Sequence, residues 1–133
     1  MKSTDVKQLQ STQRIPLRVD GESCYIEVCS VNSRQYAAGM SWFKRASAEK
    51  AMTGVQLIKT ELVMGQEIPV QSEEYKQLES ILMAHLIVDW GFDDELTLAS
   101  AAEFLSARPD IKTAIDDASS MMAYAENSAK KPQ

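Results

Sequence analysis

Residues 72–95, SEEYKQLESILMAHLIVDWGFDDE, carry the pattern that decides the fold. Ser72 suits a helix N-cap, and Glu73 and Glu74 favour the positive end of a helix dipole. Tyr75, Leu78, Leu82 and Leu86 then recur at steps of three or four, the spacing of one buried helical stripe. From Ile81 to Val88 the chain is apolar nearly all round, with His85 as the only polar residue, which predicts a helix at the centre of a core or an interface. Asp89-Trp90-Gly91-Phe92-Asp93-Asp94-Glu95 ends that helix with a glycine between two aromatics, and Gly91 is expected to let the two rings splay apart.

Working outward toward the C-terminus, Thr97 suits the cap of a short helix built on Leu98, Ala101, Ala102 and Leu105, which must stop before Pro109. Pro109 suits the first position of a last helix, with Ile111, Ala114, Ile115, Ala118, Met122 and Ala125 following at helical spacing. Toward the N-terminus, Gly65 suits a left-handed helix stop, and Ile68-Pro69-Val70 must be extended because the residue before a proline avoids helical geometry. Tyr36, Met40, Phe43, Ala51, Val55, Ile58 and Leu62 predict a long amphipathic helix, capped by Asn32 with Gln35 in a capping box. Carried to Met64 it would be about 45 Å long at 1.5 Å per residue. Thr53-Gly54 is therefore expected to kink it or divide it into two helices. Before it, Ile15, Leu17 and Val19 alternate with polar neighbours, Asp20-Gly21-Glu22 supplies a turn, and Tyr25-Ile26-Glu27-Val28 comes next, a hairpin pattern.

The expected fold is thus mainly α with a small N-terminal β-hairpin (α+β), a compact helical domain. Residues 1–13 read as a flexible leader, 14–127 as a single domain (14–31 hairpin, 32–127 helical), and 128–133 as a disordered tail. At 133 residues, 44% apolar and 25% charged, the chain is long enough for one modest core.

Charge and cysteine usage exclude several classes of function. The net charge of −5 is uneven, with 9 Lys/Arg against 7 Asp/Glu in residues 1–67 and 5 against 12 in residues 68–133. An acidic surface repels phosphate backbones, and Lys44, Arg45 and Lys50 read as a solvated helix face, so no nucleic-acid partner is expected. The densest apolar run, Ile81 to Val88, is too short to span a bilayer, and no membrane partner is expected. Cys24 and Cys29, an odd spacing apart on one predicted strand, point to opposite faces about 16 Å apart and cannot pair with each other, which suits a reducing cytoplasm.

A single histidine leaves few ways to build a catalytic set, and His85 reads first as a hydrogen-bonded core or interface residue. No metal-ligand spacing and no phosphate-cradling glycine motif occurs, so neither an enzyme nor a cofactor is expected. Met40, Met52, Met64, Met83, Met121 and Met122 fall in predicted helices or at their ends, where flexible thioethers serve as plastic core filling or as a forgiving binding surface. Trp90 and Phe92 divide in the same way between a core plug and an anchor. The candidate protein-contact residues are Met40, Phe43, Leu82, His85, Leu86, Trp90, Phe92, Met121 and Met122.

The order Leu86-Ile87-Val88-Asp89-Trp90-Gly91-Phe92-Asp93, then Thr97-Leu98, Phe104-Leu105 and Pro109-Asp110-Ile111 with Ala114-Ile115, resembles the C-terminal half of tail assembly chaperones of long-tailed (siphovirus-type, lambda-like) bacteriophages. The resemblance covers about residues 72–126, and the N-terminal half fits only in outline. It implies a protein that binds the tape measure protein and keeps its long apolar helix soluble until tube subunits polymerise around it. It further implies self-association into a homo-oligomer, contact with the tail tube protein, a place in the host cytoplasm and absence from the mature virion. The competing expectation is a generic helical adaptor or regulatory protein that binds another phage or bacterial protein.

Overall fold

Two successive residues in the left-handed region, Asp20 (φ 51°) and Gly21 (φ 81°), close the first hairpin. Two positive φ angles in a two-residue loop match the twist of the flanking strands, so β1 (Thr12–Val19) returns directly as β2 (Glu22–Cys29). The computed structural model describes residues 12–130. The leader expected over residues 1–13 lies outside that range except for Thr12 and Gln13, which belong to β1.

Helix α1 (Arg34–Met52) starts one residue later than expected. Ser33, not Asn32, is the N-cap, its Oγ accepting from the backbone N–H of Tyr36 at 3.2 Å. Asn32 is otherwise engaged, since its side-chain amide donates to Asn127 Oδ1 at 3.1 Å and ties this loop to the end of the last helix. At the other end Gly54 (φ 86°) stops α1 outright, with Val55 N–H bonded to Lys50 O at 3.0 Å and Gly54 N–H to Ala51 O at 3.1 Å. That bond pattern with a left-handed glycine satisfies the last carbonyls and turns the chain away.

Beyond Gly54 the chain does not form the second helix that the spacing of Val55, Ile58 and Leu62 predicts. β3 (Ile58–Val63) and β4 (Gln66–Gln71) form a separate two-stranded antiparallel sheet. Gly65 is left-handed as expected, but with Met64 (φ 51°) it makes a two-residue hairpin turn and not a helix end. The extended geometry expected around Pro69 is the middle of β4. Every residue of β3 and β4 is exposed except Val70, which is half-buried.

Helix α2 (Glu73–Ala84) is capped as the sequence implies, Ser72 Oγ accepting from Tyr75 N–H at 3.1 Å. It ends at His85, before Leu86-Ile87-Val88, and the chain continues as β5 (Ile87–Trp90). β5 adds to the first hairpin in the order β1-β2-β5. Its registers are Val28 opposite Ile87 and Ile26 opposite Trp90, two residues apart on β2 but three apart on β5, and a bulge absorbs the difference. The bulge turns Ile87 and Trp90 to the same buried side.

Helix α3 (Leu98–Ala107) opens with a reciprocal capping box between Thr97 and Ser100. Helix α4 (Pro109–Lys130) starts at the proline and runs through residues 128–130, which the sequence assigned to a disordered tail. The expectation of one N-terminal hairpin followed by helices is therefore corrected: the described residues hold four helices and five strands in two small sheets, a mixed α+β fold.

The core lies where β2 and β5 meet α2, α3 and α4. Ile26, Val28, Leu86, Ala101, Leu105 and Ile115 are completely buried. Trp90, 7% exposed, stacks edge-on to Phe92 and Phe104, and its indole Nε1 donates to Asp94 O at 3.0 Å. The two rings flanking Gly91 are thus not splayed, because their centroids lie 5.2 Å apart. Gly91 is required for another reason: a Cβ there would sit 2.7 Å from Tyr25 Cε1. Trp90→Ala is expected to lower folding stability by about 3–5 kcal/mol, read from urea denaturation. A loss under about 1 kcal/mol would show that the ring is not the plug of this core.

Candidate partner-binding cleft

Three helices frame a cleft of about 700 Å³ along α2. On α1, Tyr36, Met40 and Phe43 follow each other at helical spacing and form one wall. Tyr75, Glu79, Leu82 and Met83 of α2 form the floor, and Pro109, Lys112 and Asp116 of α4 form the opposite wall. Phe43 meets Tyr75 edge-on with centroids 5.8 Å apart, which fixes the rim where α1 and α2 converge. Where the α4 wall meets the floor, Lys112 Nζ bonds to Glu79 Oε1 at 3.2 Å, with only 13% of the Lys112 side chain exposed. One side of the cleft is therefore aromatic and thioether, and the other is charged.

The charges reach across it. Tyr36 has its phenol pKa pushed up, first by burial and then by the carboxylates of Asp116 and Glu79, so the hydroxyl stays protonated and available as a donor. Burial likewise pushes the Cys29 thiol up, against the opposing effect of its hydrogen bond with Ser33, which keeps it in the unreactive thiol form. Cys24 and Cys29 are both free. Among the described residues, no group of three or more His, Cys, Asp or Glu lies close enough to hold a metal ion. No helix among them is long and apolar enough to cross a membrane.

Of the nine contact residues named from the sequence, Met40, Phe43 and Leu82 come together here. His85 lies at the end of α2, with Nδ1 donating to Ile81 O at 2.8 Å and its ring beside Trp42. Leu86 and Trp90 are core residues, while Phe92 and Met122 are half-buried and pack against that core. Met121, 72% exposed, lies on the outer face of α4. Met83 is buried, whereas Met52 and Met64 are 86% and 99% exposed, so the methionines divide between core filling and surface.

Sequence reasoning did not single out Tyr36, Tyr75, Glu79, Lys112 or Asp116 as contact residues. Glu79, Lys112 and Asp116 lie off the apolar stripes, whereas Tyr36, Met40 and Phe43 in α1 and Tyr75 and Leu82 in α2 each lie on a stripe that was visible in the sequence. Which stripes face one another was not.

Gly39 sets the approach of α1 to α2. A Cβ there would lie 2.8 Å from His85 Cγ, closer than side chains pack. No family model, curated protein or solved structure matches the chain.

Gly39→Ala gives a test with opposing signs. Helix propensity alone would stabilise by about 1 kcal/mol, whereas the clash with His85 is expected to destabilise by about 1–3 kcal/mol. Urea denaturation of the variant, with His85→Ala added to relieve the clash, decides between them. A stabilised single variant would mean that Gly39 does not govern the helix spacing.

Proposed function

We propose that this protein is a tail assembly chaperone of a long-tailed phage, which holds an apolar helix of the tape measure protein in the cleft over α2 and keeps it soluble for tube assembly. The cleft carries the proposal. Its Tyr36, Met40, Phe43 and Tyr75 side offers aromatic and thioether surface to one face of a helix, and beside the Lys112–Glu79 ion pair the exposed Asp116 offers a partner to a flanking polar residue. Methionine at the wall suits a chaperone, because an unbranched thioether repacks around successive stretches of a long partner instead of selecting one sequence. The order of residues 86–115 that resembles this family forms β5, α3 and the start of α4, of which β5 and α3 pack into the core with α2 and α4 supplies a wall of the cleft.

Co-expression with the tape measure protein tests the reading. The tape measure protein is expected in the soluble fraction only when this chain is present. Met40→Glu, placing a charge on the apolar wall, is expected to weaken the complex about tenfold or more while leaving the circular dichroism spectrum unchanged. Met121→Glu, on the outer face of α4, is expected to bind as the parent does. An insoluble tape measure protein, or equal loss from both substitutions, would refute the assignment of partner or of cleft.

A further inference from the structure

The two sheets present strands at their edges, and three of those edges are blunted. Gly91 N–H bonds to Tyr25 O at 2.9 Å, so Tyr25 directs its backbone groups toward β5 and its β1 partner, Pro16, directs its own side outward. Pro16 therefore removes a donor from the outer edge of β1. β5 is only four residues long. In the second sheet, Ser72 N–H bonds to Leu57 O at 2.8 Å, which sets the alternation along the ladder. Leu57, Lys59, Glu61 and Val63 bond inward to β4, while Ile58, Thr60 and Leu62 direct N–H and C=O outward. Pro69, opposite Thr60, directs its missing donor outward and blunts β4.

β3 alone among these is a full-length strand with an uninterrupted outer ladder. It also exposes Ile58 and Leu62, at 44% and 73%. An isolated two-stranded hairpin is marginal in water and gains stability by further pairing.

We propose that β3 pairs antiparallel with β3 of a second copy about a two-fold axis at Thr60, giving a continuous sheet β4-β3-β3-β4. Charge selects this register. Centred on Thr60, Lys59 of each copy faces Glu61 of the other, Ile58 faces Leu62, and Thr60 faces Thr60. Centring on Lys59 or on Glu61 would set like charges opposite each other. The Thr60 register also joins the outward N–H and C=O groups of Ile58, Thr60 and Leu62 to their counterparts, so the open ladder is closed by the chain's own copy. No residue of β3 lines the cleft, which meets this hairpin only at Gln71 of β4, and the pairing holds whatever the cleft binds.

Sedimentation equilibrium on the full chain, with residue-resolved amide exchange, tests the pairing. The expected result is a reversible dimer in which the amides of Ile58, Thr60 and Leu62 gain protection as concentration rises. Lys59→Glu places glutamates opposite each other twice and is expected to raise the dimer dissociation constant about tenfold or more. The double reversal, Lys59→Glu with Glu61→Lys, is expected to return it to within about threefold of the parent. Both residues are exposed, so the fold survives these changes. A monomer at all concentrations with freely exchanging Thr60 overturns the proposal, as expected if a strand of another protein takes this edge. A dimer indifferent to Lys59→Glu, or not rescued by the double reversal, overturns it equally.

Discussion

The pairing of β5 onto β2 is the constraint on which the rest of the structure depends. The ladder begins where Cys29 N–H bonds to Leu86 O at 2.9 Å and ends where Gly91 N–H bonds to Tyr25 O. Between those two bonds the chain passes from helix to strand within a few residues, so α2 is anchored at its C-terminal end to the sheet. Trp90 is thereby held under α3, where its indole closes the core with Phe92 and Phe104. The same anchoring fixes His85 at the end of α2. The glycine at position 39 lets α1 settle against that imidazole, which brings Met40 and Phe43 to the cleft. Strand pairing, aromatic core and cleft wall form one chain of consequences.

This junction is also where the sequence was hardest to read. Leu86 and Trp90 are four apart, and Ile87 and Trp90 three apart, which are helical intervals. A bulge in β5 produces the same interval within a strand, because the extra residue restores one side to positions an odd distance apart. Leu86 also follows Leu82 by four, and with the apolar run to Val88 this extended the expected helix over the start of β5, as far as Asp89-Trp90. A second coincidence hid the β3–β4 hairpin. Val55, Ile58 and Leu62 continue the spacing of Tyr36, Met40 and Phe43, although Gly54 had already ended α1. The β-branched content of residues 58–70 was the better guide there, since Ile58, Thr60, Val63, Ile68 and Val70 suit a pleated surface.

Local signals fared differently from tertiary ones. Ser72, Thr97 and Pro109 each marked a helix start, because capping and proline geometry are settled within a few residues. Asp20-Gly21 marked its turn for the same reason. Asn32 lost the cap position to its neighbour Ser33, while its own side-chain amide donates to Asn127 in α4, a contact between distant residues. The cleft belongs with Asn32: its α1 residues and Tyr75 and Leu82 lie on stripes visible in the sequence, but Glu79, Lys112 and Asp116 do not, and their convergence depends on how three helices and a sheet pack. Met121 and Met122 show the same limit, since adjacent methionines on one helix lie one on the surface and one against the core.

In the proposed function a helix partner is held by the α1 wall and the α2 floor, and not by other exposed apolar surface. Methionine methyl groups report on this directly, because they are spread over the molecule in distinct surroundings. With the methyl carbons labelled and a tape measure helix added, the resonances of Met40 and Met83 are expected to shift and broaden with the stoichiometry of one complex, while that of Met121 stays in place. Shifts confined to Met121, or none at saturating helix, would contradict a partner-binding role for the cleft.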